Sequence, residues 1–499
     1  MSSLAFVSLL SAALTPAPDC GALASLKLPD VRIVDDTIIQ PTAPQRAAGR
    51  SAVCRVRGVI GKEIKFTLLL PDNWNQRFMM GGQGGFAGSV TNMAGASVNS
   101  GYATSGTDTG HEGDDAKWAL NNPERVENYA HLAVHRVAQV SKDIIKAYYG
   151  TAPVKSYFYG CSNGGREALM EAERHPEDFD GIVAIAPVLD FGGSAVTFVR
   201  NTQAAFPTGF AKPVLSPDVL RLVEAKVFDA CDARDGVRDQ VLDDPRQCDF
   251  KVASLPACPN DVAGEQCVTR QQRAALQTIY SPLTVNGRVL FPGQALGNEG
   301  EGDAWPAWIT GTPGSPANQP PTAQAMFGTE FFRYLVYGDS TWDYTKADVA
   351  TLATDVKRVA TLLSPNDPDL SAFVKRGGKL IMAHGWSDPA LMAMSSINYF
   401  DALHVRDKNA DSYIRLFMMP GVLHCSGGTG CDAADWYSAI ANWVEKGVAP
   451  ERIVAKKMAP AQGGAPAQVV RTRPLCAYPK HAVYAGTGST DDEASFVCK

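Results

Sequence analysis

A basic excess is missing from this chain. It carries 46 Lys and Arg against 52 Asp and Glu, a formal net charge of −6, and no local run of cations offsets that balance. Polyanions are held by such runs gathered on one face, so nucleic acid is not an expected partner. Long apolar runs are missing too: the longest, Leu4 to Leu14, falls far short of the roughly 20 residues that cross a bilayer, so no membrane span is expected. The pattern C-x-x-C does not occur among the 11 cysteines, which disfavours zinc ribbons and thioredoxin-like redox pairs. Repeats with a period of roughly 20 to 50 residues, the mark of solenoids and propellers, are not visible. Histidine is scarce, with only eight, so imidazole chemistry has few candidates.

What is present is the composition of a globular protein: 499 residues, 45% apolar and 20% charged, enough for a large core. Cysteines at 231/248, 258/267 and 476/498 read as small disulfide-closed loops, which persist in an oxidising compartment. Residues 1–17 hold an apolar stretch from Leu4 to Leu10, then small residues suited to cleavage near Ala13 or Ala17, although no Lys or Arg precedes it. They are expected to be a signal peptide of a secreted or periplasmic protein; the other reading is a helical arm.

The first part of the chain alternates strand and helix patterns, as a βα protein should. Strands are expected at Ile64 to Leu70 and Arg77 to Met80, the latter followed by the turn Gly81-Gly82-Gln83-Gly84-Gly85, and a helix at His131 to Tyr149. Next come a strand at Tyr157 to Tyr159, the segment Gly160-Cys161-Ser162-Asn163-Gly164-Gly165, a helix through about His175, and a buried strand at Ile182 to Ala186. From about Asp190 to Asp369 prolines and short cysteine pairs replace this alternation; it returns with strands at Lys379 to Ala383 and Ile414 to Met419 and a helix around Asp435 to Lys446. The expected architecture is one α/β domain, 18–189 with 370–499, around a mostly parallel sheet, interrupted by an inserted lid domain at 190–369.

Gly160-x-Ser162-x-Gly164 lies between a strand and a helix, where a nucleophile elbow belongs: the serine sits on a strained turn that lifts its hydroxyl above the sheet, and the glycines avoid clashes. A serine that merely caps the helix would occupy the same place. A serine nucleophile needs a general base and an orienting acid, in chain order Ser, Asp or Glu, His for this architecture. His424, after the last strand in Pro420-Gly421-Val422-Leu423-His424-Cys425, is the leading base. His175 lies on the helix after the elbow, and His384 precedes the acid candidate on its own strand end, so both fit less well. Asp388, beyond the strand Lys379 to Ala383, is the acid, since such groups gather at the carboxyl ends of strands. An Asx turn or helix cap before Pro389 is its alternative role. An oxyanion would need the N–H of Asn163 and one from Gly84 or Gly85. Cys161 precedes the nucleophile and Cys425 follows the base, so convergence of Ser162 and His424 makes a disulfide between them plausible. Within the insertion, Asp232, Asp235 and Asp239, with carbonyls of Val237 and Val241 and a turn at Gly236, could wrap one Ca2+. A solvated acidic turn closed by a disulfide is the other reading.

Gly160-Cys161-Ser162, then Asp388, then His424-Cys425 resembles the tannase/feruloyl esterase family of α/β-hydrolases. The resemblance extends to Gly84-Gly85-Phe86-Ala87-Gly88, to the segment Gly101 to His111, to the Asp232/Asp235/Asp239 loop and to His424-Cys425-x-Gly427-Gly428-x-Gly430. It implies a serine hydrolase under a lid stabilised by structural Ca2+, with no organic cofactor, acting on small-molecule esters of aromatic acids: gallates, hydroxycinnamates or mono(2-hydroxyethyl) terephthalate. It further implies the pairs Cys161 with Cys425, Cys231 with Cys248, Cys258 with Cys267, Cys476 with Cys498 and Cys20 with Cys54, leaving Cys431 as an unpaired departure from the family pattern. Terephthalate-cleaving members have Glu after the nucleophile where this chain has Asn163. Lid aromatics at Trp305, Trp308, Phe331, Phe332, Tyr334, Trp342 and Tyr344 suit either a flat acyl group or the lid's own core, and Arg333 either a substrate carboxylate or a lid-structural role. The rival readings are a calcium-dependent binding protein without turnover, and a transacylase or protease of the same fold. The natural ester and the oligomeric state are not legible.

Overall fold

The computed structural model describes residues 19–312, 314, 319–459 and 467–499. The expected signal segment, 1–17, lies outside them. A nine-stranded sheet organises the chain. Its first half is made of β1 (Val31–Ile39), β2 (Val53–Ile60), β3 (Ile64–Pro71), β4 (Arg77–Gly81), β5 (Ala103–Thr107), β6 (Lys155–Cys161) and β7 (Gly181–Ile185). A small hairpin, β8 (Leu283–Val285) with β9 (Arg288–Phe291), lies apart from it, and β10 (Lys379–Gly385) and β11 (Ile414–Met419) complete the sheet. The spatial order is β1-β2-β3-β5-β4-β6-β7-β10-β11. Pairing is antiparallel from β1 through β5 and parallel from there to β11. This large, mostly parallel sheet with helices on its faces is the α/β-hydrolase arrangement expected from the sequence.

The parallel strands are buried on both faces, which is why they read as continuous apolar runs. Ile182 and Met382 enter one core, while Val183, Ile381 and Ala383 enter the other. The first eight α-helices in chain order are α1 (Ala43–Ala47), α2 (Pro123–Glu127), α3 (Ala133–Tyr149), α4 (Asn163–Arg174), α5 (Phe191–Ala205), α6 (Pro217–Cys231), α7 (Arg270–Tyr280) and α8 (Ala323–Glu330). On one face α3 contributes Val134 and Val137, and α4 contributes Ala168 and Leu169. The helix Trp436–Lys446 covers the other with Trp436, Ile440 and Trp443. No helix among the described residues is long and apolar enough to cross a membrane.

The stretch 190–369 adds α5 to α8, the hairpin β8–β9 and two further short helices, Val349–Asp355 and Lys357–Leu363, and contributes no strand to the nine-stranded sheet. Disulfides join Cys20 to Cys54, Cys161 to Cys425, Cys231 to Cys248, Cys258 to Cys267 and Cys476 to Cys498. Cys431 is buried and unpaired; burial pushes its thiol up to about 11, so it stays protonated and inert near neutral pH.

Candidate active site

Parallel register brings the predicted residues to one end of the sheet. Cys161 of β6 pairs with Ile185 of β7, Ile185 with Ala383 of β10, and Gly385 of β10 with Met419 of β11. Ser162, Asp388 and His424 therefore all leave the carboxyl ends of neighbouring strands. Ser162 takes φ 62° and ψ −123° between β6 and α4, a conformation costly for a residue with a Cβ and one that marks a sharp elbow. Gly160 is required there because any Cβ would strike the backbone of Gly164. The N–H of Ser162 donates to the Ile185 carbonyl at 3.0 Å, which fixes the elbow on β7.

Asp388 has the contacts that each of its two candidate roles requires. Its Oδ1 accepts the N–H groups of Ala390 and Leu391 at 2.8 and 3.0 Å, an Asx-type turn, while its Oδ2 lies 2.8 Å from Nδ1 of His424. Burial opposes its ionisation, but His424 and the His384 side chain prevail and hold the carboxyl well below the usual range. His384 is itself buried, with Nδ1 2.7 Å from Ser396 Oγ and Nε2 3.0 Å from the Leu391 carbonyl and 3.3 Å from Asp388 Oδ2. It is thus a buttress for the acid rather than an alternative base.

Ser162 and His424 line one cavity of about 460 Å3, together with Gly85 and Asn163. The serine hydroxyl makes no hydrogen bond to the imidazole among the described residues; contacts of this kind often tighten only in the complex with substrate. The disulfide Cys161–Cys425 joins the residues beside them, with Cα atoms 5.9 Å apart. Asn163 is the first residue of α4, where backbone N–H groups lack helical partners and point outward. Gly85, at φ 57°, lines the cavity and Gly84 does not.

The cavity wall is aromatic: Phe86, Phe191, Phe198, Trp308 and Phe327 face it with Leu391, and its only titratable side chain is His424. Trp308 meets the His424 ring edge-on at 4.9 Å between centroids. Of the lid aromatics singled out in the sequence only Trp308 lines this space; Phe331, Phe332, Tyr334 and Tyr344 belong to a core and Trp342 packs against it, while Trp305 belongs to another. Phe327 was not foreseen, because nothing in its spacing separates a wall residue from a core residue. Arg333 is committed elsewhere: its Nε donates to the Trp342 carbonyl at 3.0 Å and its guanidinium lies 3.9 Å from Glu330.

Behind the nucleophile lies a polar network that sequence patterns did not single out. Arg166, fully buried, donates to Asn163 Oδ1 at 2.6 Å and to the carbonyls of Ala130 and Tyr129 at 2.6 and 2.7 Å. The Tyr129 hydroxyl lies 2.9 Å from the Gly85 carbonyl and 3.0 Å from Asn163 Oδ1. Glu167 accepts from Asn163 Nδ2 at 3.0 Å and from the Gln83 N–H at 2.9 Å; burial pushes its carboxyl up to about 7, against the pull of Arg166. Two charged residues four and five places beyond Ser162, on a helix whose other side must face the sheet, were the available signal.

In the insertion, Asp235, Val237, Asp239 and Val241 line a second cavity with Asp243, which sequence reading passed over. Asp232 lies close by, accepting the Asp239 N–H at 3.4 Å. Burial, then repulsion among these carboxylates, raises Asp235 to about 6 and Asp243 to about 7. Asp239 is drawn to Arg473 at 2.6 Å and Arg471 at 3.5 Å, and the three predicted aspartates are not among the sets whose ligand atoms converge within 4.8 Å. The donors are nonetheless all hard oxygens carrying more negative charge than the arginines neutralise, which is the chemistry a hard divalent cation fits.

A family profile described as "Tannase and feruloyl esterase" matches residues 49–499. An uncharacterized esterase of Xanthomonas campestris pv. campestris is 32% identical over 554 aligned positions, covering 99% of this chain and 94% of that one. The solved structure of feruloyl esterase B from Aspergillus oryzae superposes with a TM-score of 0.83 at 27% identity, covering 96% of this chain and 99% of that one. A second esterase structure from Aspergillus oryzae gives a TM-score of 0.85 at 29% identity, with 96% and 99% covered.

Proposed function

Since the chain belongs to the tannase and feruloyl esterase family and is a carboxylic ester hydrolase of that type, we propose that it cleaves esters of uncharged aromatic acids through an acyl-serine intermediate. The observation that carries this reading is the Asp388–His424 pair opening, beside Ser162, into a cavity with an aromatic wall. His424 takes the proton of Ser162 as the hydroxyl oxygen attacks the ester carbonyl. Asp388 holds the imidazole by Nδ1, leaving Nε2 for the serine, and stabilises the imidazolium that forms. The oxyanion is received by the N–H groups of Asn163 and Gly85. His424 then returns the proton to the leaving alkoxide, and deprotonates the water that releases the acid and regenerates Ser162.

The wall of Phe86, Phe191, Phe198, Trp308 and Phe327 grips a flat ring by area and edge contacts. With Arg333 engaged by Trp342 and Glu330, and Asn163 after the nucleophile, nothing favours the terephthalate monoester reading. Residues 190–369 act as the lid on a body formed by 18–189 and 370–499. Asp232, Asp235 and Asp239, with the carbonyls of Val237 and Val241, would hold a Ca2+, which would supply charge neutralisation in the lid. Five disulfides support secretion or a periplasmic location after removal of 1–17.

The test compares wild type and Ser162→Ala on methyl ferulate, methyl gallate, mono(2-hydroxyethyl) terephthalate and an amide matched to the ferulate. Methyl ferulate should be hydrolysed fastest, and the variant should lose at least about a thousandfold in kcat, as removal of a triad nucleophile does. Faster amide cleavage would assign a protease. Failure of a fluorophosphonate to label Ser162 in the folded protein would leave only the binding-protein reading.

A further inference from the structure

Three of the eight histidines meet far from Ser162, where the start of α3 passes the end of α4. His131 and His135 are four residues apart on continuous helical backbone and so share a face. His175 caps α4, its N–H donating to the Glu171 carbonyl. The His135 and His175 rings stack at 3.9 Å between centroids. His131 Nδ1 lies 3.0 Å from His175 Nε2, and His135 Nδ1 lies 2.6 Å from Asp178 Oδ2. Among the described residues the opposite nitrogens, Nε2 of His135 and Nδ1 of His175, have no hydrogen-bond partner. One ligand atom from each of His135, His175 and Glu177 lies within 4.8 Å of the other two; a second such set is His135, Glu171 and Asp178. Glu171 is buried with neither carboxylate oxygen hydrogen-bonded. The cations nearby serve other groups: Lys142 lies 3.7 Å from Asp178 Oδ1, and Arg376 donates to the Glu177 carbonyl.

We propose that His135, His175 and Glu177 bind a divalent transition-metal ion of the Zn2+ class, with Asp178 holding His135 and His131 holding His175 from behind. A carboxylate on the far nitrogen of a ligating histidine fixes its tautomer and aims the other nitrogen at the metal. Borderline imidazole donors select Zn2+, Ni2+ or Cu2+ over Ca2+, so this site differs in kind from the oxygen-lined loop of the insertion. Zn–N and Zn–O bonds of about 2.0–2.1 Å place ligand atoms roughly 3.3 Å apart along a tetrahedral edge, so on loading the His135 and His175 rings turn out of their stack to bring their in-plane lone pairs onto the ion, and the exposed Glu177 side chain rotates to join them. Water completes the fourth position. α4 has 12 residues, a length of about 18 Å, so the ion lies at the end remote from the nucleophile and clamps α4 to α3 without touching the reacting atoms.

The test uses untagged full-length protein in buffer with Ca2+, stripped of transition metals and titrated with Zn2+ alone by calorimetry, with metal content measured after desalting. Wild type should retain about one Zn2+ per chain and melt higher when loaded, and Ser162→Ala should behave identically. His135→Gln with His175→Gln should retain none. Glu177→Gln, at an exposed position that does not threaten folding, should weaken binding at least tenfold while leaving hydrolysis of methyl ferulate unchanged. Equal Zn2+ content in wild type and the histidine variant overturns the proposal, as does unchanged affinity in Glu177→Gln should the histidine variant not fold. Neither result bears on the esterase reading, which stands on Ser162 labelling.

Discussion

Tyr129 carries no sequence signal, yet its hydroxyl touches both sides of the proposed oxyanion hole, the Gly85 carbonyl and the Asn163 side chain. Asn163 Oδ1 keeps the Arg166 donor, so removing the hydroxyl leaves the buried Gly85 carbonyl short of its donor, at about 1–3 kcal/mol, and frees the Gly85 peptide to rotate. Tyr129→Phe should lower kcat on methyl ferulate by roughly tenfold, less than the hundredfold or more for deleting an oxyanion donor outright, with KM nearly unchanged. Steady-state kinetics check this; a rise in KM with constant kcat would instead make Tyr129 a pocket-shaping residue. His111 permits a pH prediction. Burial lowers it from 6.5 to about 4 while its Nε2 lies 2.7 Å from the Phe86 carbonyl and its Nδ1 is unpartnered. Between those pH values the unfolded chain binds a proton that the folded chain does not, so stability rises with pH across the window and is lost on acidification, by on the order of 3 kcal/mol. His111→Gln, which keeps a donor for Phe86, should therefore lose less melting temperature than wild type between pH 7 and pH 5, and an identical loss would remove His111 from the account.

Elements with an apolar period were legible. The strand Ile414–Met419 has the ends its sequence pattern implies, and α4 and the helix Trp436–Lys446 differ by a residue or so from their patterns. The misses have physical causes. β5, Ala-Thr-Ser-Gly-Thr, is buried throughout, yet offers no hydrophobic signal because its Thr and Ser side chains are satisfied inside, as where Ser105 donates to the Thr67 carbonyl at 3.2 Å. β10 continues past Ala383 because His384, polar in the sequence, finds partners in Ser396 and Leu391 and can stay buried. The stretch Asn128–Leu132 winds as a π-turn where an α-helix was expected from His131, placing the Tyr129 and Ala130 carbonyls on Arg166. At this scale the Cys161–Cys425 bridge matters most, since it joins the end of β6 to the loop beyond β11 across 264 residues. Replacing both cysteines by serine should cost about 2–4 kcal/mol, and should lower kcat more than it raises KM, because the serine and imidazole lose their tether while the aromatic wall is untouched. Melting curves and kinetics on methyl ferulate separate the two effects, and a stability loss with full kcat would reduce the bridge to a plain staple.

Across the whole molecule the grouping of Ser162, Asp388 and His424 at one end of the sheet was legible because the proposed chemistry demands three residue types in a fixed chain order, whereas the attachment of the insertion to the rest of the chain was not, because its contacts are carried by ordinary amides and hydroxyls. Gln294 and Gln324 both donate to the Pro389 carbonyl, at 2.9 and 2.8 Å, beside Asp388. Ser387 donates to Asn298 at 2.8 Å, and Asn298 in turn reaches Thr429 at 3.2 Å. Thr429, in the loop that follows His424, donates to the Gln240 carbonyl at 2.8 Å, and Gln240 lies between Asp239 and Val241 of the proposed calcium loop. A cation that orders this loop thereby steadies the loop carrying the base. Without it, the carboxylates of Asp232, Asp235 and Asp243 repel one another across a buried space, and only Asp239 has arginine partners within ion-pair distance. EGTA should accordingly lower both melting temperature and kcat, leave KM little changed, and be reversed by Ca2+ but not by Mg2+, whose smaller shell suits this loop poorly. A Ca2+ excess of roughly a hundredfold over Kd would return about 2.7 kcal/mol. Asp235→Asn should melt lower than wild type in Ca2+ and respond little to EGTA. A wild-type melting curve indifferent to EGTA would show that Arg471 and Arg473 suffice to balance the charge of this loop without a cation.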